Sequence, residues 1–267
     1  MNFTIFGYPK SGKTTLFNLL TGADIEITGY DTGKKEPNLR TSAVPDPRLD
    51  QLSSLYSDKE KKPAMIDYID LAGISYGEVK TEGYLNHLRK ADGLAHVVRG
   101  FRAVQIPHHK GEISPQDDIQ AMEEELILAD LFQIESRAEK LEKELKRGKT
   151  PALEKEQALI ERIRTTLEQG TPLRELELSS AEEKLLRSFA FLSQKPLFFM
   201  LNLDESDIPF IDSPEKVYPV QKPHTAVLAF CGKIELEIRQ LEPEEKSLFL
   251  DEYGMKELSD TKFRRAS

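Results

Sequence analysis

The chain has 267 residues, enough for a full apolar core and one compact domain with an excursion. Its net charge of −9 argues against broad electrostatic binding to nucleic acid or to an acidic membrane, leaving room only for a local basic patch. No apolar run approaches membrane-spanning length, and a single cysteine, Cys231, excludes an internal disulfide and suits a reducing cytosol. A strand beginning two residues from Met1 leaves no room for a signal peptide, so a cytoplasmic protein is expected.

Phe3, Ile5 and Phe6 predict a short strand, and Leu16, Phe17, Leu19 and Leu20 predict the apolar face of a helix. Between them Gly7-Tyr8-Pro9-Lys10-Ser11-Gly12-Lys13-Thr14 fits G-x-x-x-x-G-K-[ST]. In that strand–loop–helix setting, successive backbone N–H groups and the helix N-terminus cradle the phosphates of a nucleotide. Lys13 is expected to reach the β- and γ-phosphates, and the Thr14 hydroxyl to bind Mg²⁺. Gly7, Tyr8, Pro9, Lys10, Ser11, Gly12, Lys13, Thr14 and Thr15 are thus the candidate phosphate-binding residues.

Gly22 to Glu36 is polar, with Thr28, Thr32, Lys34 and Lys35, as in a switch segment ordered by γ-phosphate and Mg²⁺. Pro45 to Asp50 makes a turn into an amphipathic stretch ending near Tyr56. Ala64 to Asp70 predicts a buried strand that runs into Asp70-Leu71-Ala72-Gly73. Asp70 would hold Mg²⁺ through water, and the Gly73 N–H would bond the γ-phosphate. Ile74 stands where many GTPases carry a glutamine, and an apolar side chain cannot orient the attacking water.

Glu82 to Lys90 reads as a helix and Gly93 to Val98 as a strand, followed by a basic stretch with His108, His109 and Lys110. From Asp117, Ile127, Leu131, Ile134, Ala138, Leu141 and Leu145 form a heptad seam on a highly charged helix. A turn at Arg147–Pro151 leads to a second helix of similar length through Leu153, Ile160, Ile163 and Leu167. The pair is an antiparallel coiled-coil hairpin that could dock a protein partner, and a third helix, Ala181 to Leu192, returns to the body. Pro196 to Leu201 predicts a strand ending in Asn202-Leu203-Asp204-Glu205, in the position of the N-K-x-D loop that reads guanine. Thr225 to Phe230 predicts another, ending in Cys231-Gly232-Lys233, where a backbone N–H would meet the base edge. Asn202, Leu203, Glu205, Cys231 and Gly232 are the candidate base-binding residues, and helices from Lys233 and Pro243 close the chain. The alternation indicates an α/β fold: a mostly parallel P-loop sheet with helices on both faces and the hairpin inserted.

The order of Gly7–Thr14, Glu36-Pro37-Asn38, Asp46–Asp50, Asp70–Gly73, His96-Val97-Val98-Arg99 and Asn202–Glu205 resembles the YchF (Obg-like ATPase) branch of the Obg-type P-loop GTPases. The stretch Glu125–Leu131 at the opening of the hairpin is also similar. The resemblance implies hydrolysis of ATP in preference to GTP, association with ribosomes and a role in stress regulation. It also matches His108 to a mobile catalytic histidine, here rivalled by the adjacent His109. Four departures stand out. Lys34 replaces the switch threonine, leaving only Thr32 to supply that hydroxyl. The segment after Gly83 is about four residues short, roughly one helical turn. Lys10 replaces an asparagine that helps hold potassium in related GTPases, so its ammonium could itself supply the positive charge during catalysis. The chain stops at Ser267, where the family's C-terminal TGS domain would begin, so a member without that domain is expected.

The expected organisation is a nucleotide-binding domain in two parts, 1–116 and 193–254, with a helical insert at 117–192 and a tail at 255–267. The expected activity is a slow ATPase switch, its two states differing in the order of residues 24–36 and 73–85. A GTPase and a catalytically decayed scaffold, docking a partner through its coiled coil, are the alternatives.

Overall fold

A computed structural model describes residues 1–27, 36–56, 60–75, 79, 81–103, 108, 111–216 and 224–267. The expectations placed on Thr28, Thr32, Lys34, Lys35, His109 and Lys110 lie outside the described residues.

Strand β1 (Asn2–Phe6) leads through the glycine loop into α1 (Lys13–Thr21), then β2 (Asn38–Ala43), α2 (Pro47–Leu55), β3 (Met65–Asp70), α3 (Glu82–Lys90) and β4 (Gly93–Arg99). The hairpin follows as α4 (Pro115–Arg147) and α5 (Pro151–Glu168), and then the short α6 (Ser180–Leu186). The chain re-enters the sheet with β5 (Leu197–Asn202) and β6 (Thr225–Phe230), and ends in α7 (Gly232–Arg239), α8 (Pro243–Glu252) and α9 (Ser259–Ala266). The six strands lie in the order β2-β3-β1-β4-β5-β6. Only β2 is antiparallel to its neighbour.

The central strands are apolar on both faces because helices cover both. Along β4 and β5 the side chains alternate between two cores: Leu94, Val98, Phe199 and Leu201 face one, and Ala95, Val97, Phe198 and Met200 the other. The first core receives Leu88 of α3 and Ile119, Met122, Leu126 and Ala129 of α4. The second receives Leu16, Phe17 and Leu20 of α1. Parallel pairing sends the C-terminal ends of β1, β3, β4, β5 and β6 to one edge, where ligands bind in open α/β sheets.

Four elements differ from the sequence expectations, each for a local reason. The two hairpin helices are unequal, 33 residues in α4 against 18 in α5. Part of the first half of α4 packs on the sheet through Ile119, Met122, Leu126 and Ala129, while Ile127, Ile134 and Leu141 join Ile160, Ile163 and Leu167 of α5 in a separate core. Arg137 clamps the two helices, donating to Glu144 at 2.9 Å and Glu156 at 2.7 Å. The third helix ends at Leu186 instead of Leu192. Buried Asp130 accepts the backbone N–H groups of Leu192 and Ser193 at 2.9 and 2.7 Å, drawing that segment out of the helical ladder. The polar strand β2 was not expected; it is held by six register pairs with β3 and by Thr41 Oγ1 donating to Asp67 at 2.6 Å. The last departure is α9, formed within the stretch read as a tail. Its Phe263 is fully buried, with ring centroids 5.0 Å from Phe3 and 4.9 Å from Phe198. Among the described residues no helix is long and apolar enough to cross a membrane.

Candidate nucleotide site

The loop between β1 and α1 needs its glycines. At Gly7, φ is 141° and an added Cβ would lie 2.6 Å from the Val97 carbonyl oxygen. At Gly12, φ is 100° and a Cβ would lie 2.2 Å from Asn202 Nδ2. Lys10 is also left-handed, at φ 61°, a conformation that costs a side-chain-bearing residue about 1–2 kcal/mol and that asparagine tolerates better. The lysine substitution noted in the sequence therefore falls on a strained position.

Lys13 is buried at the start of α1, and its ammonium donates to the Tyr8 carbonyl at 2.8 Å. Burial pulls its pKa down to about 8, partly opposed by the negative charge of Asp70. His96, on β4 below the loop, stacks on Phe6 with centroids 5.1 Å apart. Its own pKa falls to about 3, first through burial and then through the Lys13 charge, so it is neutral at pH 7.

At the end of β3, Asp70 Oδ2 accepts from Thr14 Oγ1 at 2.9 Å and from Asn38 Nδ2 at 3.0 Å. Gly73 lies close against the loop: a Cβ there would stand 2.6 Å from Pro9 Cα and 3.0 Å from Lys13 Nζ. Thus two motifs some sixty residues apart in the chain meet around one amine, one hydroxyl and one carboxylate. A hydroxyl and a carboxylate are hard oxygen ligands of the kind Mg²⁺ takes. The buried amine and the loop backbone fit the phosphates of a nucleotide.

The third motif closes the site from the β5 side. Asn202 uses both ends of its amide: Nδ2 donates to the Ser11 carbonyl at 3.0 Å, and Oδ1 accepts from Gly232 N–H at 3.1 Å. It ties the phosphate loop to the β6–α7 loop. Gly232 is itself packed tightly, since a Cβ would lie 2.7 Å from Thr15 Cγ2. Leu203 and Cys231 are buried, and burial pushes the Cys231 thiol pKa up. Asp204 accepts from the Glu205 and Arg102 N–H groups at 2.8 and 3.0 Å, which fixes the turn. Glu205 is half exposed and pairs with Lys233 at 3.1 Å.

Two further candidates lie on other segments. His108 bonds Asp118 on α4, with Nε2 and Oδ2 3.2 Å apart. Ile74 is buried among Tyr8, Leu71 and Val79. Sequence reasoning missed Asn38 as a partner of Asp70, although the Glu36-Pro37-Asn38 signature marks the position. It also missed Lys233 beside Glu205 and Asp118 beside His108, which no local pattern announces.

Comparisons with known proteins agree with this arrangement. A family model described as a 50S ribosome-binding GTPase matches residues 2–135. The Ribosome-binding ATPase YchF of Bacillus subtilis is 34% identical over 261 residues, spanning 95% of this chain and 71% of that protein. The protein of the same name from Escherichia coli O157:H7 is 35% identical over 260 residues, with the same coverage. The solved structure of the Schizosaccharomyces pombe YchF GTPase superposes with a TM-score of 0.81 at 26% identity, covering all of this chain and 74% of that one. With its glycine loop, Asp70-Leu71-Ala72-Gly73 motif, parallel sheet and helical hairpin, the chain belongs to the YchF family of P-loop nucleoside triphosphatases.

Proposed function

We propose that the protein is a Mg²⁺-dependent ATPase with a preference for ATP over GTP, acting as a switch in the cytosol. The observation that carries this reading is the 2.9 Å bond between Thr14 and Asp70 beside buried Lys13. In the proposed complex, the backbone of Gly7–Thr15 and the Gly73 N–H receive the phosphates, and Lys13 balances their charge. Thr14 and Asp70 would hold Mg²⁺, which would supply positive charge to the phosphates of the bound nucleotide. Ile74 cannot orient water, so His108 is assigned the proton of the attacking water. The water oxygen bonds the γ-phosphorus, the β–γ bridging oxygen leaves with ADP, and inorganic phosphate is released. Lys10 is placed at the phosphates as an additional cation. The names of the bacterial relatives support ribosome association as part of the same proposal.

ATP preference rests on Glu205. A guanine reader needs a short carboxylate that accepts from N1–H and the 2-amino group, and an unpaired donor there is costly. Glu205 is one methylene longer than aspartate, and its carboxylate is engaged by Lys233. Asn202 would then hold adenine at N7 and N6 with its second amide N–H and second oxygen lone pair, while keeping its bonds to Ser11 and Gly232, with Leu203, Cys231 and Gly232 around the ring. Titration with ATP and GTP in the presence of Mg²⁺ is expected to give the tighter Kd for ATP. Glu205→Asp is expected to narrow that preference several-fold, and GTP binding tenfold more tightly than ATP to the wild type would contradict the assignment.

A further inference from the structure

The two flanks of α4 carry opposite charge. Between α4 and α5, Glu135, Glu139, Glu142 and Glu161 outnumber Arg164. On the other flank α4, α3 and the turn Arg187–Phe189 enclose a groove of about 570 Å³, and among the described residues lining it none is acidic. Its cations are Arg89, Arg137 and Lys140, in a chain whose net charge is −9. Arg137 is occupied by Glu144 and Glu156. Arg89 and Lys140 form no ion pair with a described residue. Arg89 Nε is buried without a hydrogen-bond partner among the described residues, because both oxygens of nearby Asp130 are taken by the N–H groups of Leu192 and Ser193. The apolar lining is Ala129, Leu85 and Phe189, together with Phe132, which is 50% exposed. A half-exposed phenylalanine thus stands beside two cations that no carboxylate answers.

We propose that this groove is a docking site for an acidic amphipathic helix of a partner protein, whose apolar side chains cover Phe132 and Leu85 and whose carboxylates pair with Arg89 and Lys140. The α4 residues that line it, Ala129, Phe132, Gln133, Ser136 and Lys140, recur three and four positions apart, so they share one helix face roughly 16 Å long. A partner helix of about eleven residues has that length, and helix-in-groove recognition reads apolar anchors at the same spacing. The groove is walled by helices and offers no strand edge, so a segment that satisfies its own backbone fits it better than an extended one. A carboxylate takes charge-assisted bonds from the Arg89 guanidinium, while Lys140 acts as a point charge at the rim. A phosphate backbone needs a longer run of cations, and the glutamates on the opposite flank of α4 repel it. The area is small for a stable complex, so the contact is transient. None of the residues assigned to nucleotide chemistry takes part in it.

The test selects a phage-displayed library of helical peptides, each about twelve residues long and randomised on every face, on the immobilised full chain. Enriched peptides are then measured by fluorescence polarisation against wild type, Phe132→Ala and Lys140→Glu. Both substitutions fall on exposed side chains, so thermal unfolding and affinity for a fluorescent ATP analogue are expected to stay at wild-type values. Enriched peptides are expected to carry acidic side chains on one face and apolar ones three and four positions apart on the other, and to bind more weakly as salt is raised. Each substitution is expected to weaken their binding by about tenfold. Exchanging the acidic side chains of a peptide for lysine is expected to weaken it at least as much. Failure to enrich any peptide, enrichment of basic or uncharged peptides, or unchanged binding by either variant overturns the proposal. A uridine-rich single-stranded RNA oligomer is measured alongside. If it binds the wild type more tightly than the enriched peptides and Lys140→Glu abolishes that binding, the groove is a nucleic-acid surface and the proposal is overturned.

Discussion

Replacing Lys13 by methionine is expected to lower ATP turnover by roughly 10²–10³-fold, the scale seen when one positioned charge-stabilising donor is removed from a closed site. The same change is expected to make the nucleotide-free protein more stable. Burial holds the Lys13 pKa near 8 in the folded state, against about 10.5 unfolded. The unfolded chain therefore binds more protons between those values, and the contribution of Lys13 to stability rises as pH climbs through that window. Below pH 8 both states carry the charge, and the folded state bears a cost of about 3 kcal/mol. Methionine removes that cost and loses the bond to the Tyr8 carbonyl, worth about 1 kcal/mol, leaving a net gain of about 1–2 kcal/mol. Urea unfolding at pH 7 and phosphate release measure the two effects on one variant. A stability loss would mean that the nucleotide-free site accommodates the charge better than its burial implies.

The largest loss of stability is expected at the foot of the hairpin. Arg174, in the turn after α5, is fully buried and forms an ion pair with Glu123 of α4. Its Nε also donates to the Lys195 carbonyl at 3.3 Å, just before β5. The pair fastens the return of the excursion to the body of the domain. Arg174→Met leaves the Glu123 carboxylate buried without its cation, a change that costs about 3–5 kcal/mol. Against a total of about 5–15 kcal/mol for a domain, this is a large fraction. The double change Arg174→Met/Glu123→Leu should recover most of the loss, because an apolar pair does not carry the desolvation of two charges. Urea unfolding of the single and double variants checks both statements. A single variant as stable as the wild type would show that the hairpin is held by its apolar seam alone.

What was legible in the sequence is what short-range chemistry encodes. The run Phe3–Leu20 specifies a strand, a loop and a helix, and the loop's glycine positions are those where the backbone turns left-handed or approaches another segment. The apolar stretches of β4 and β5 name themselves, because strands covered on both faces have no polar side to show. Outcomes decided by distant partners were not legible. The strand β2 is polar and lies at the sheet edge, so it carries no alternation; its pairing with β3 defines it. The end of α6 depends on Asp130, sixty-two residues before Leu192. Phe263 is the only large apolar side chain of α9, set among charged residues, yet it completes a core built by Phe3 and Phe198. Within the site the same division holds. Lys13, Thr14 and Asp70 could be picked from their motifs, whereas the two hydrogen bonds of Asn202, the Glu205–Lys233 pair and the His108–Asp118 contact exist only once separate loops are brought together.

The central claim, Mg²⁺-dependent hydrolysis of ATP at the meeting of the glycine loop with Asp70, is tested most directly by phosphate release from γ-labelled ATP. Wild-type protein and Asp70→Asn are compared, each with Mg²⁺ and with excess chelator. The account predicts slow release by the wild type that requires Mg²⁺ and exceeds the rate on GTP, and release near background by Asp70→Asn. Absence of release by the Mg²⁺-loaded wild type, or equal release by Asp70→Asn, would contradict it.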